Sequence, residues 1–79
     1  MIVSVIYYDN KVSGYAGREY TYKTELLLKP FQKVLVPVAD GTKKRALVTN
    51  VDLPDSVIDP SWSNRVKEIK EYDNEENTK

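Results

Sequence analysis

Neither cysteine nor histidine occurs among the 79 residues. The first absence removes disulfide staples and thiolate chemistry, and the second removes a near-neutral general base and imidazole metal ligands. Zinc or iron–sulfur sites and Ser-His or Cys-His catalysis are therefore not expected, and the chain calls for no cofactor. An excess of charge is lacking too. There are 12 basic and 12 acidic residues, and residues 1–72 carry 11 against 9, a net charge of +2. That balance is too even to announce a nucleic-acid binder by bulk charge, so partners have to be argued from local patches. No apolar run approaches the ~20 residues of a membrane span, and Met1 to Tyr8 lacks the basic start and small-residue cleavage site of a signal peptide. A cytoplasmic protein with no membrane partner is the expectation.

What the chain does contain is a series of short β-branched and aromatic runs. Ile2 to Tyr8 has few polar positions on either face, as a central strand covered on both sides requires. Arg18 to Thr24 alternates, with Glu19, Thr21 and Lys23 outward and Tyr20 and Tyr22 inward. Lys33 to Val38 places Val34, Val36 and Val38 on one face, and Pro37 assigns the end of that strand to an edge or a bulge. Asp40-Gly41 is the strongest hairpin signal in the chain, pairing this strand with Lys44 to about Asp52.

The connections are equally readable. Asp9 to Gly17 is a long loop, either a flexible link or a functional one. Glu25 to Gln32 is a diverging turn whose leucines cap an open end, with Pro30 fixing the start of the next strand. Leu53 to Asn64 is an irregular crossover with room for one helical turn, anchored by Val57, Ile58 and Trp62. Arg65 to Tyr72 reads as a closing strand, although Val66 and Ile69 are also spaced as on a helix. The expected fold is all-β: one small SH3-like, five-stranded antiparallel barrel over residues 1–72, followed by a disordered polar tail, residues 73–79.

Three local features could carry function. Lys43, Lys44 and Arg45 concentrate positive charge at a hairpin, and Lys11, Arg18 and Lys33 extend it. Cations beside Tyr15 and Tyr20 suit single-stranded nucleic acid, where charges meet phosphates and rings stack on bases. The bland reading is a lysine-rich edge that resists aggregation. Tyr7, Tyr8, Tyr15 and Trp62 form the second feature, and an exposed Tyr15 could anchor a base or a protein. The third is Asp52, Asp55 and Asp59, which turn formation and local backbone bonding explain better than metal binding or acid–base work. Enzyme activity is the least supported class.

The order Tyr20-Thr-Tyr22, Leu28-Lys-Pro30, Lys33-Val-Leu-Val-Pro37, a Val-rich strand ending at Val51, Val66-Lys-Glu-Ile69 and Tyr72-Asp73 resembles the amino-terminal domain of the primosomal replication-restart helicase. That resemblance spans about residues 18–73 and implies a small barrel that receives the 3′ end of a DNA strand at a fork. The family's pocket carries an acidic residue between the aromatics and a glycine after the turn proline, where this chain has Thr21 and Phe31. The helicase domains are absent from this sequence. The leading functional expectation is a non-enzymatic module contacting single-stranded or forked DNA. Its competitors are an adaptor or inhibitor of a host protein, of the kind a phage encodes, using a strand edge or the 9–17 loop, and a homo-oligomeric assembly component.

Overall fold

The computed structural model describes residues 1–61 and 66–73. Within them the chain forms β1 (Ile2–Asp9), β2 (Gly14–Tyr15), β3 (Tyr20–Thr24), β4 (Lys33–Pro37), β5 (Lys43–Asn50), β6 (Glu68–Ile69) and β7 (Glu71–Tyr72), with one turn of 3-10 helix at Asp55–Val57. Trp62 and the expected tail beyond Asp73 lie outside the described residues.

The strands run in the order β6-β3-β1-β5-β4-β7, with β2 paired to β1. Because β6 and β7 are separated only by Lys70, one short segment pairs with β3 at one edge of the sheet and with β4 at the other. The sheet is thereby rolled into a nearly closed all-β barrel. The count exceeds the expected five because the closing strand is divided into two halves and the long loop supplies β2. One half also departs from an antiparallel ladder: β6 runs parallel to β3, through Lys23↔Glu68 and Thr24↔Ile69.

Strand alternation builds the core. Val3, Val5, Tyr22, Val34, Val36, Ala46, Val48 and Ile69 are buried together. β1 is central as its composition requires, with β3 on one side and β5 on the other. Leu28 enters the core and Leu26 packs against it, while Leu27 between them points outward, 85% exposed. Thr24, also buried, binds the closing segment: its hydroxyl donates to the Ile69 carbonyl at 2.9 Å and accepts the Leu26 N–H at 3.0 Å.

The turn into β4 has an unusual residue at its bend. Gln32 N–H donates to the Lys29 carbonyl at 3.2 Å, Phe31 has φ +71°, and Pro30 stands before it, which together give a type II turn. Phe31 N–H then donates to Val48 O at 2.7 Å while Val48 N–H donates to Gln32 O at 2.9 Å. Two residues of one strand thus oppose one of the other, the bulge that normally has a glycine at its first position. Here both motifs place Phe31 in the glycine slot.

Two expectations need correction. Asp73, placed in the polar tail, belongs to the barrel: it is 1% exposed, its N–H donates to the Lys33 carbonyl at 3.1 Å, and its carboxylate accepts from Arg45 Nε at 3.0 Å. Tyr20, assigned to the interior with Tyr22, is 38% exposed. It lies on the inward-facing side of β3, but at the strand's first residue, where that side reaches the open end of the barrel.

Candidate nucleic-acid interface

The barrel's end beside the 38–42 hairpin is lined by rings. Tyr7 continues the inward file of Val3 and Val5 past the last core layer, and Tyr20 stacks on it with centroids 4.4 Å apart and planes 9° from parallel. Tyr22 lies deeper. Its hydroxyl donates to the Pro37 carbonyl at 3.1 Å, which leaves Tyr7 to donate across the 2.7 Å contact between the two hydroxyls. Burial, followed by the Tyr7 hydrogen bond, pushes ionisation of the Tyr22 hydroxyl well above the ordinary tyrosine range. The lower ring is thus fixed by hydrogen bonds, and the upper ring, Tyr20, is open to solvent.

Cations flank the stack. The Arg18 guanidinium lies 5.6 Å from the Tyr20 centroid, and the Lys44 ammonium 5.3 Å from that of Tyr7. Lys44 reaches this end because it shares the inward file of β5 with Ala46 and Val48. Neither Arg18 nor Lys44 forms an ion pair among the described residues. Asp40 in the hairpin is held below the usual carboxylate range, chiefly by the Thr42 hydroxyl and N–H, with the Lys44 charge adding to them.

Two open clefts of about 450 Å³ each meet at Tyr7, Arg18 and Tyr20. One runs past Thr21, Val38 and Lys67; the other runs past Asn10, Lys11 and Lys44. The stacked tyrosines thus line both clefts.

The remaining basic residues face elsewhere. Lys43 and Arg45 occupy the outward file of β5, one residue out of phase with Lys44. Lys43 forms an ion pair with Glu71, and Arg45 pairs with Asp73 while its guanidinium sits 5.0 Å from the Tyr8 centroid. On that outer face Tyr8 and Tyr15 meet edge to face at 5.4 Å, and Lys33 lies 6.0 Å from the Tyr15 centroid. Tyr15 gets there because the expected 9–17 loop is a tight hairpin, with Tyr8↔Tyr15 and Asp9↔Gly14 in register and Ser13 at φ +53°. Tyr15 therefore folds back onto the barrel and is half-buried.

Of the residues selected from sequence, the structure brings together Arg18, Tyr20 and Lys44, with Lys11 beside them. It assembles Lys33, Arg45 and Tyr15 on a different face and ties Lys43 to the closing strand. Tyr7, named from sequence only within the group of four aromatics, lines both clefts, and Lys67, not singled out at all, lines one of them. Period-two alternation carried the signal for Tyr7, since a ring two residues beyond Val5 on a central strand must emerge at the barrel's end. Among the described residues there are four cation–ring contacts. They divide evenly between the two faces.

A polar cluster braces the start of β3. Glu19 Oε1 accepts from Thr49 Oγ1 at 2.6 Å, Ser4 Oγ at 3.1 Å and Asn50 Nδ2 at 3.0 Å. These bonds, that of Thr49 foremost, hold its carboxyl below the ordinary range. Of the three aspartates in the crossover region, Asp52 takes φ +53° and Asp59 accepts the Ser61 N–H at 2.9 Å. Among the described residues no three acidic side chains converge as a metal site would require. No protein-family model, no curated protein and no solved structure matches this chain.

Proposed function

We propose that this barrel is a binding module, without chemistry of its own, that holds a single nucleic-acid strand across its open end. The observation carrying the proposal is the Tyr7–Tyr20 stack lining two adjoining clefts, with Arg18 and Lys44 on its flanks. A base placed on the exposed face of Tyr20 extends a stack already formed, so the protein loses little side-chain entropy on binding. Arg18 moves from the ring to a phosphate, and Lys11, Lys44 and Lys67 follow the backbone on either side. Duplex DNA keeps its bases paired and offers no free face to Tyr20, so single strands and frayed ends are the favoured ligands. The resemblance to the restart-helicase domain supports the same end of the barrel, because Tyr20, Thr21 and Tyr22 all line one of the clefts.

The test is fluorescence anisotropy with short single-stranded and 3′-recessed DNA at two salt concentrations. Binding should weaken steeply with salt, with a slope that falls by about 0.7 per phosphate contact removed in Arg18→Ala and in Lys44→Ala. Tyr20→Ala should cost about 1–3 kcal/mol. Lys43→Ala, whose ammonium is engaged by Glu71, should change affinity little. Absence of binding at low salt would overturn the proposal.

A further inference from the structure

The ladder between β1 and β3 ends at Val5↔Tyr20, and Glu19 stands just outside it. Residues 16 to 19 carry the chain from the β1–β2 hairpin into β3. At their start Ala16 N–H donates to the Tyr7 carbonyl at 3.1 Å. At their end the Glu19 carboxylate takes its three donors from the two neighbouring strands, Ser4 from β1 and Thr49 and Asn50 from β5. Protons are fully allotted within this cluster. Thr49 gives its proton to Glu19, and Asn50 gives one N–H to Glu19 and the other, at 3.1 Å, to Ser4 Oγ. The Ser4 proton is left between Glu19 and Thr49 Oγ1, which is 2.7 Å away. Only the carboxylate accepts without bringing a proton of its own, so the arrangement needs Glu19 at its centre.

A bulge in β5 brings two of the donors to one side. The register passes from Ser4↔Asn50 to Val5↔Val48, so Thr49 is an extra residue, and both Thr49 and Asn50 turn toward Glu19. Bulges re-aim side chains in this way, and they gather beside functional sites. Arg18 and Tyr20, the neighbours of Glu19 in the chain, each line both clefts. With the Glu19 side chain tied to the outer face of the sheet, Tyr20 is directed to the inner one, where its ring meets Tyr7. The Arg18 guanidinium lies beside that ring. Ser4, Thr49 and Asn50 line neither cleft, so they act on a ligand there through Glu19.

We infer that Glu19 is a positioning residue for the nucleic-acid site: held by Ser4, Thr49 and Asn50, it fixes the backbone from which Arg18 and Tyr20 meet the strand. The inference rests on the open end being a single-strand site. A carboxylate that lines one of the clefts works against phosphates by its charge. Its contribution is geometric instead. With the backbone set, Arg18 and Tyr20 lose less freedom when a phosphate and a base arrive. The lowered ionisation of Glu19, due first to the Thr49 hydrogen bond and then to that of Ser4, agrees with a carboxylate engaged in its charged form.

The test is the Kd of the full chain for a short single-stranded DNA at low salt, by fluorescence anisotropy, with the melting temperature measured on each variant. Glu19→Ala should raise Kd about 10-fold. Glu19→Gln loses the same charge but keeps an oxygen for the three donors, and its Kd should stay near that of wild type. Thr49→Val should raise Kd about 3-fold, and combined with Glu19→Ala it should add nothing, since the two act through one contact. In the free protein the mutual ring-current shifts of Tyr7 and Tyr20 should shrink in Glu19→Ala and persist in Glu19→Gln. Two results overturn the inference and leave the single-strand site standing. Tighter binding in both Glu19 variants would make the residue only a repelling charge. An unchanged Kd in Glu19→Ala, whatever its melting temperature, would make it at most a brace. Absence of binding by wild type at low salt overturns both.

Discussion

At the scale of single residues, side chains hold the barrel where its ladders are short. Thr24 donates to Ile69 and accepts from Leu26, so Thr24→Val removes a buried hydroxyl at nearly constant shape. That change should cost about 1–2 kcal/mol in denaturant unfolding, since it leaves two backbone groups without their partner. Phe31→Gly should act in the opposite direction. Relief of the left-handed backbone is worth about 1–2 kcal/mol, and the added freedom of the unfolded chain returns about half of it, leaving a net stabilisation of about 0.5–1 kcal/mol.

Glu19 sets part of the acid response. Its carboxyl ionises more readily in the folded protein than in the unfolded chain, so its stabilising effect is complete above the unfolded value of 4.5 and disappears as pH falls through the folded one. Stability measured in Glu19→Gln should therefore fall less steeply below about pH 4.5 than in wild type. Tyr22 acts at the other extreme. Its raised ionisation leaves stability intact below the ordinary tyrosine value of 10.0 and erodes it above that value. Tyr22→Phe should remove that alkaline loss.

At the scale of elements, β5 shows what the sequence made legible and what it did not. Its position, its pairing with β4 through Asp40-Gly41 and its buried Ala46 and Val48 all followed from alternation and turn chemistry. The same alternation separates Lys44 from Lys43 and Arg45, yet treating the three as one patch hid the split. The closing segment was readable as a strand but not as two half-strands, because Lys70 marks no turn in sequence and the division arises only from pairing with two different neighbours. Asp73 was illegible for a similar reason: a carboxylate heading a polar run gives no local sign that Arg45, 28 residues earlier, will receive it. Arg45→Met should cost about 3 kcal/mol by leaving that buried carboxylate without its guanidinium, whereas Lys43→Met, which breaks a half-exposed pair, should cost at most about 1 kcal/mol.

For the whole molecule, closure among the described residues rests on few pairs: Lys23↔Glu68 and Thr24↔Ile69 on one side, Val34↔Tyr72 and Leu35↔Glu71 on the other. The central ladders between β1, β5 and β4 are far longer. Hydrogen exchange should therefore resolve two levels, with the amides of Ile69 and Tyr72 opening well before those of Val5 and Val48. Uniform protection across both sets would show that the barrel opens only as a unit.

Late closure also matters while the chain is being made. Synthesis delivers β1 to β5 before the closing segment, so until that segment is made β3 and β4 are bare edges, the situation in which neighbouring nascent chains pair with one another. Each of those strands carries a lysine, Lys23 in one and Lys33 in the other, and these positive charges repel a second copy at the moment each edge stands open. The positions that accept Glu68 and the Asp73 backbone thus place a positive charge on each edge that the closing segment covers, the device by which open sheet edges resist pairing with a second copy.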